Sequence, residues 1–487
     1  MKPQTASGLF QKILIANRGE IACRIIRTCQ NLGIPTVAVY SEADQDALHV
    51  RLADDAFHIG KATPEDSYLN HERILETAIQ CQADAIHPGY GFLAENDVFA
   101  EACLSKGIHF IGPRPESIRE MGSKSRAKQL MQEAGVPVVP GYHGDKQDFK
   151  ILRNEAEKIG FPLLIKPVAG GGGRGMRVVR QLNELEEALT LSRSEAKNAF
   201  GDDNVLLERF IEGPRHIEFQ IFGDQHGNFV HLHERECSIQ RRHQKILEES
   251  PSPFLDETLR KQMAEASLKA ANAVQYLGAG TVEFIVGEDR SFYFIEMNTR
   301  LQVEHPVTEM RTGLDLVEWQ IRVASGEKLP LDQDQIRPKG HSIEVRVCAE
   351  NPERGFLPSS GLLKLYDFPE DSSASGSSLI RLDSGFEQKD RVGIHYDSML
   401  AKLIVHGEER EKALETIQHA LKHTAIIGPE TNLGFLQKLV SHPQFLEGNA
   451  DTLFIDACLP ELLQNEETTH DWIYWACAID HFQSEQE

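Results

Sequence analysis

The sequence predicts an α/β chain that ends in an α+β domain, and three observations carry that prediction. Near the N-terminus, Lys12–Asn17 is a short apolar run, Gly19-Glu20 opens a helical stretch closed by Gly33, and Pro35–Tyr40 is apolar again. That is the βαβ unit of a parallel sheet. Farther on, Thr281–Val286 and Ser291–Met297 are β-rich runs joined by Gly-Glu-Asp-Arg, the pattern of an antiparallel hairpin. After a proline-containing linker at Leu329–Lys339, strands around Leu379–Leu382 and Lys402–Val405 precede helices near Arg410–His423 and Asn432–Leu439. That order is α+β.

With 487 residues the chain can bury a sizeable core, in roughly two to four domains. A net charge of −23 argues against nucleic acid or an anionic membrane as a general partner, because phosphate contact needs a basic surface. An anionic substrate therefore needs local positive charge. The eight cysteines lie far apart, with no C-x-x-C pair, which fits reduced thiols and gives no zinc spacing. Met1–Phe10 is too short and polar for a signal peptide, and no apolar run reaches membrane length. The expectation is a cytoplasmic protein.

The elements follow in order. A further cycle of the parallel unit is expected as helix Tyr68–Cys81, strand Asp84–His87 and the loop P-G-Y-G-F-L-A-E-N. Glycine-rich loops at strand C-termini line ligand crevices, although a tight structural turn reads the same way. Helix Asp97–Lys106 and strand His109–Ile111 close this unit near Pro115. A single glycine at the first turn is not a dinucleotide fingerprint. Lys124 then stands at the start of helix Ser125–Ala134, where free backbone N–H groups favour anions.

Helix Asp148–Ile159 leads into P-L-L-I-K-P and the run A-G-G-G-G-R-G-M. Consecutive glycines between β-runs let backbone approach phosphates closely, while a flexible hairpin without function is the plain alternative. Lys166 lies in the apolar strand beside that flap, and lysines are seldom buried without a partner. After helix Leu182–Asn198 come strands carrying Glu208 and His216, and then the basic run Q-R-R-H-Q-K over 240–245. That run reads equally as a surface patch. Helix Asp256–Leu277 delivers the chain to the hairpin.

The hairpin carries the densest chemistry. Glu283 and Glu296 stand one on each run and come close to facing each other if the turn centres near Asp289. Like charges directly opposite destabilise a sheet, so this pair wants a divalent cation between them. Beyond it, Glu296, Asn298, Arg300, Gln302 and Glu304 keep a period of two and share one face of an extended strand. A solvated strand face is the alternative to an active-site wall.

These stretches together resemble biotin carboxylase, the ATP-grasp component of biotin-dependent carboxylases, over residues 10 to 455. The resemblance rests on K-I-L-I-A-N-R-G-E-I-A, H-P-G-Y-G-F-L-A-E-N, L-I-K-P-V-A-G-G-G-G-R-G-M, E-C-S-I-Q-R-R-H-Q-K, E-M-N-T-R-L-Q-V-E-H and Y-D-S-M. It implies a Rossmann-like N-terminal domain at 10–118, an ATP-grasp domain at 119–335 with a mobile lid near 138–210, a C-terminal α+β domain at 340–455, and an extension at 456–487. It further implies that Lys124, Lys166 and the flap glycines Gly172 and Gly173 contact ATP phosphates. Glu208, His216 and His243 then belong to the nucleotide site. Glu283, Glu296 and Asn298 take Mg²⁺ or Mn²⁺, a hard cation suited to oxygen ligands. Lys245, Arg300, Arg346 and the Gln302-Val303 backbone form the bicarbonate and biotin pocket, with Glu304 as general base.

The implied activity is ATP-dependent carboxylation of biotin, with bicarbonate entering through carboxyphosphate. The implied partners are a biotin carboxyl carrier protein or domain and a carboxyltransferase subunit, with the chain itself a homodimer. No biotinyl-lysine motif and no carboxyltransferase domain are found in the sequence, so both are expected elsewhere. Acetyl-CoA, propionyl-CoA, methylcrotonyl-CoA, pyruvate and urea all stay open as final acceptor. Another ATP-grasp ligase, a pyruvate carboxylase subunit and a non-catalytic scaffold are the competing readings. A scaffold has no physical need for the charged wall at 296–304. The tail carries Trp472 and Trp475, which suit docking on a partner or on this domain.

Overall fold

A computed structural model describes residues 8–168, 175–242, 244–369 and 378–464. The flap glycines, His243 and the tryptophan-bearing tail lie outside the described residues. Five parallel strands form the N-terminal sheet: β1 (Ile13–Ile15), β2 (Thr36–Ser41), β3 (Asp55–Gly60), β4 (Ala85–His87) and β5 (His109–Phe110), in the order β3-β2-β1-β4-β5. β1 is buried along its whole length, as expected of a central parallel strand covered on both faces. Helix Gly19–Leu32 lays Ile21, Ile25, Ile26 and Cys29 into one core with Leu316 and Trp319. Gly33 ends it with φ 70°, a left-handed cap that costs glycine little.

The helix expected from Tyr68 instead runs His71–Gln80. The side chain of Asn70 caps it by accepting from the Arg73 N–H, and Tyr68 turns into the core. Four short strands, β6 (Gly141–Tyr142), β7 (Leu163–Pro167), β8 (Arg177–Val179) and β9 (Val205–Arg209), pair in the order β6-β9-β7-β8. Helices Phe149–Ile159 and Leu185–Phe200 cover them and close a separate apolar cluster around Leu163, Ile165 and Leu207.

The central sheet is antiparallel and eight-stranded. Its members are β10 (Arg215–Gly223), β11 (Phe229–Arg241), β12 (Gln244–Ser250), β13 (Gly278–Val286), β14 (Phe292–Asn298), β15 (His341–Cys348) and the strands Ser378–Ser384 and Met399–Gly407. The order is β14-β13-β10-β11-β12-β15, then 399–407, then 378–384. The basic run at 240–245 spans the β11–β12 turn, where Arg242 adopts φ 49°. Leu247 pairs with Val345 across β12 and β15, so a single sheet continues through the proline-containing linker.

The hairpin is as expected, with Glu283 in register with Glu296. The extended strand expected through Glu304 is not. β14 stops at Asn298, and Glu304 is the residue before helix His305–Thr312, with φ −81° and ψ 11°. Pro306 in the first turn favours the helix start that follows Glu304.

Candidate active site

A cleft of ≈ 2120 Å³ runs between the N-terminal sheet, the four-stranded sheet β6-β9-β7-β8 and the central sheet. Lys124, Lys166, Glu208, His216, Glu283 and Glu296 line it, as do Asn298, Arg300, Gln302, Val303, Glu304, Lys245 and Arg346. The structure therefore brings every described candidate to one cavity.

The core of the site is built from adjacent strands, with period-two pairs on β10 and β13. β10 carries Glu218 and Gln220, β11 Arg235, β13 Thr281 and Glu283, and β12 Lys245 and Glu248. Arg235 is fully buried and donates to Glu218 at 2.6 Å, Gln220 at 2.8 Å, Thr308 at 3.0 Å and Thr281 at 3.1 Å. Lys245 Nζ reaches Glu218 at 2.5 Å, Glu304 at 2.7 Å and Glu283 at 3.0 Å. Arg346 donates from Nε to Glu248 at 3.0 Å and from Nη2 to Glu304 at 3.1 Å.

Burial opposes ionisation of Glu304, but Lys245, Arg346 and Arg235 together hold its carboxyl well below the usual range. Glu283 is also held low against burial, by Lys245 and by His216, whose Nε2 lies 2.7 Å from it. Burial disfavours protonation of His216 and Glu283 favours it, and the net shift is upward. Glu296 behaves in the opposite way: burial and the neighbouring Glu283 raise its carboxyl. Asn298 Nδ2 donates to Glu283 at 2.7 Å. Two opposed carboxylates, one of them reluctant to ionise, plus an amide form a hard-oxygen donor set that fits Mg²⁺ or Mn²⁺.

Beside the four-stranded sheet, Lys166 and Lys128 both donate to Glu208. Burial raises that carboxyl, the two ammonium groups lower it, and the net result is about 2. Arg300 is held by Glu95 at 2.9 Å and by Gln302 at 2.9 Å. Sequence reasoning missed Lys128, Glu95, Glu218, Arg235 and Glu248. For Glu218 a signal was present, since it alternates with Ile217, Phe219 and Ile221 along an apolar strand.

A parallel N-terminal sheet, a small four-stranded sheet and a carboxylate-lined antiparallel sheet around one cleft are the layout of an ATP-grasp ligase. Family profiles agree: the biotin carboxylase N-terminal domain matches residues 9–118, the carbamoyl-phosphate synthase L chain ATP-binding domain 123–332, and the biotin carboxylase C-terminal domain 344–457. The mitochondrial methylcrotonoyl-CoA carboxylase subunit alpha of Dictyostelium discoideum is 53% identical over 91% of this chain, which spans 63% of that relative's length. The biotin carboxylase of Nostoc is 51% identical over 92% of this chain and 98% of its own. The biotin carboxylase domain dimer of the Hydrogenobacter thermophilus 2-oxoglutarate carboxylase was solved with MgADP, ADP and bicarbonate. It is 47% identical, with a TM-score of 0.84, over 94% of this chain and all of that one. The chain belongs to the biotin carboxylase family, whose members are ATP-grasp ligases.

Proposed function

We propose that the chain carboxylates biotin carried on a carrier protein or domain, consuming ATP and bicarbonate through carboxyphosphate. The observation that carries this reading is Glu304 held as an anion between Lys245 and Arg346, in the same cleft as Lys166 and the Glu283–Glu296 pair. The ligands of the thermophile domain support it.

Lys124 and Lys166 contact the ATP phosphates from the lid side. Glu283, Glu296 and Asn298 would hold Mg²⁺ or Mn²⁺, which when bound neutralises charge on the phosphoryl group. Glu304 accepts the bicarbonate proton, a task that needs a carboxylate within hydrogen-bond reach. A bicarbonate oxygen then bonds to the γ-phosphorus as ADP leaves. Carboxyphosphate breaks to CO₂ and phosphate, the phosphate takes the ureido proton of biotin, and the ureido nitrogen bonds to CO₂. Arg300, a fixed guanidinium, stabilises the oxyanion that develops on the ureido group.

Because the first relatives are longer than this chain, the whole assembly belongs to the proposal. It is an acyl-CoA carboxylase in which the carrier and the carboxyltransferase lie on other segments or chains, and in which this chain dimerises. A reducing, cytoplasmic setting is proposed because the seven cysteines among the described residues are free. Among the described residues no helix is long and apolar enough to cross a membrane. The test is ADP release by the purified chain. It should require bicarbonate and rise with free biotin; bicarbonate-independent release rejects the reading.

A further inference from the structure

Lys402 has no part in the chemistry above, yet its side chain is fully buried. Lysines are almost never fully buried without a partner. Its Nζ donates to the Val303 carbonyl at 2.9 Å and lies 2.9 Å from Glu20 Oε1 and 3.8 Å from Asp383 Oδ2. The other oxygen of Glu20 accepts from the Tyr90 hydroxyl. Tyr90, Glu20 and Val303 all line the cleft. One ammonium thus joins the C-terminal strand Met399–Gly407, the start of helix Gly19–Leu32, the glycine-rich loop after β4 and the segment entering Glu304.

The contact is built into the backbone. A Cβ on Gly385 would fall 2.5 Å from the Glu20 nitrogen, so only glycine lets the C-terminal part approach this closely. Asn17 Nδ2 holds the Tyr90 loop through the Pro88 and Tyr90 carbonyls, each at 2.7 Å. The Gln302 carbonyl accepts from His305 Nδ1 at 2.8 Å, so the two peptides preceding Glu304 are both gripped through their oxygens. A planar peptide with its C=O pinned has its following N–H and Cα direction fixed as well.

We propose that Lys402 is a positioning residue: a buried cation from the C-terminal part that locks segment 299–304 against the Tyr90 wall and so aims Glu304 into the cleft. The inference rests on the proposed role of Glu304 as base. The rival is that Lys402 only neutralises Glu20, Glu344 and Asp383. Asp383 already has Arg381 at 2.7 Å, and burial pushes the carboxyl of Glu344, the third acid that faces Lys402, toward its neutral form, so a double change, K402M with E20Q, removes the ammonium without leaving an ionised carboxylate that depends on it alone. The glutamine can still accept from Tyr90.

Two readouts on this double variant decide the matter. Amide hydrogen exchange across 299–304 should speed up by about tenfold or more, the scale of losing one charge-assisted hydrogen bond, with exchange in strand 399–407 unchanged. The kcat/KM for bicarbonate should fall by about tenfold or more while the KM for ATP stays within about twofold. A folded double variant with wild-type exchange in 299–304, or with wild-type kcat/KM for bicarbonate, overturns the proposal. If the wild-type chain shows no bicarbonate-dependent turnover, the proposed function falls, and the exchange measurement alone decides the role of Lys402.

Discussion

Lys245 Nζ stands 2.7 Å from Glu304 Oε1 and 3.0 Å from Glu283 Oε1, so a single ammonium joins the proposed base to a proposed metal ligand. Held this way, Glu304 is ionised at neutral pH but is a weak base, because its own cations stabilise the anion. An anion that binds Lys245 and Arg346 shares their charge and loosens their hold on Glu304. Under the proposed function, bicarbonate arrival would strengthen Glu304 as a base at the moment it is needed.

Glu304→Gln keeps the volume and loses the ability to accept a proton. Carboxylation of free biotin should drop by about 10²-fold or more, the usual weight of general base catalysis, with ATP KM nearly unchanged. Radiolabelled bicarbonate fixation measures it, and turnover at the wild-type rate removes Glu304 from the base role.

Lys245→Met leaves Glu218, Glu283 and Glu304 buried without the cation they share. Removing one partner of a buried ion pair costs about 3–5 kcal/mol. Urea unfolding at neutral pH should show a loss of that size, partly restored when Glu218→Gln is added. A loss below about 1 kcal/mol would mean that water screens the cluster as it does an exposed pair.

Much of the site could be read in the sequence because its residues sit on regular elements. The Glu283–Glu296 opposition followed from two β-runs and a short turn, and the register bears it out. The face from Glu296 to Glu304 was legible only in part. Period-two spacing put Arg300, Gln302 and Glu304 on one strand, while β14 stops at Asn298 and a loop delivers them instead. Lys128, Glu95 and Arg235 escaped notice because their roles come from pairing over long sequence distances: Lys128 with Glu208, Glu95 with Arg300, Arg235 with Glu218. Spacing along a chain carries no record of such partners. The continuation of one sheet through β12 and β15 was hidden for the same reason.

Lys166→Ala removes one of the two cations on Glu208 and a proposed phosphate contact. The expected result is an ATP KM raised by about tenfold or more with bicarbonate KM little changed, since charge-assisted hydrogen bonds contribute about 1.5–3 kcal/mol. Initial rates at varied ATP measure it; an unchanged ATP KM ends the phosphate assignment.

Glu296 should govern metal affinity in a pH-dependent way. Its carboxyl is raised by burial and by Glu283, and a metal ligand must be deprotonated, so a cation held by Glu296 would compete with a proton there. Mn²⁺ affinity, followed by electron paramagnetic resonance, should weaken as pH falls into the range where Glu296 protonates. Glu296→Gln should lower affinity at neutral pH and flatten that dependence. Identical Mn²⁺ titrations for the two proteins at every pH would exclude Glu296 from the metal site.

Glu208 gives a stability signature separate from catalysis. Its carboxyl, ordinarily near 4.5, is brought to about 2 in the folded chain by Lys166 and Lys128 acting against burial. A carboxyl lowered on folding stabilises the native state fully above its unfolded pKa, and that stabilisation disappears as pH falls toward the folded value. The unfolding free energy of wild type should therefore exceed that of Glu208→Gln by an amount on the order of 2–3 kcal/mol at neutral pH. The gap should narrow once the pH drops below about 4.5 and close toward about 2. Lys128→Met, which removes one of the two cations, should shrink that contribution and move the pH at which it is fully lost upward, because the folded carboxyl then titrates closer to its unfolded value. Denaturant melts of the three proteins across the acid range test this, and a gap independent of pH would show that the Glu208 contribution comes from packing rather than from its charge.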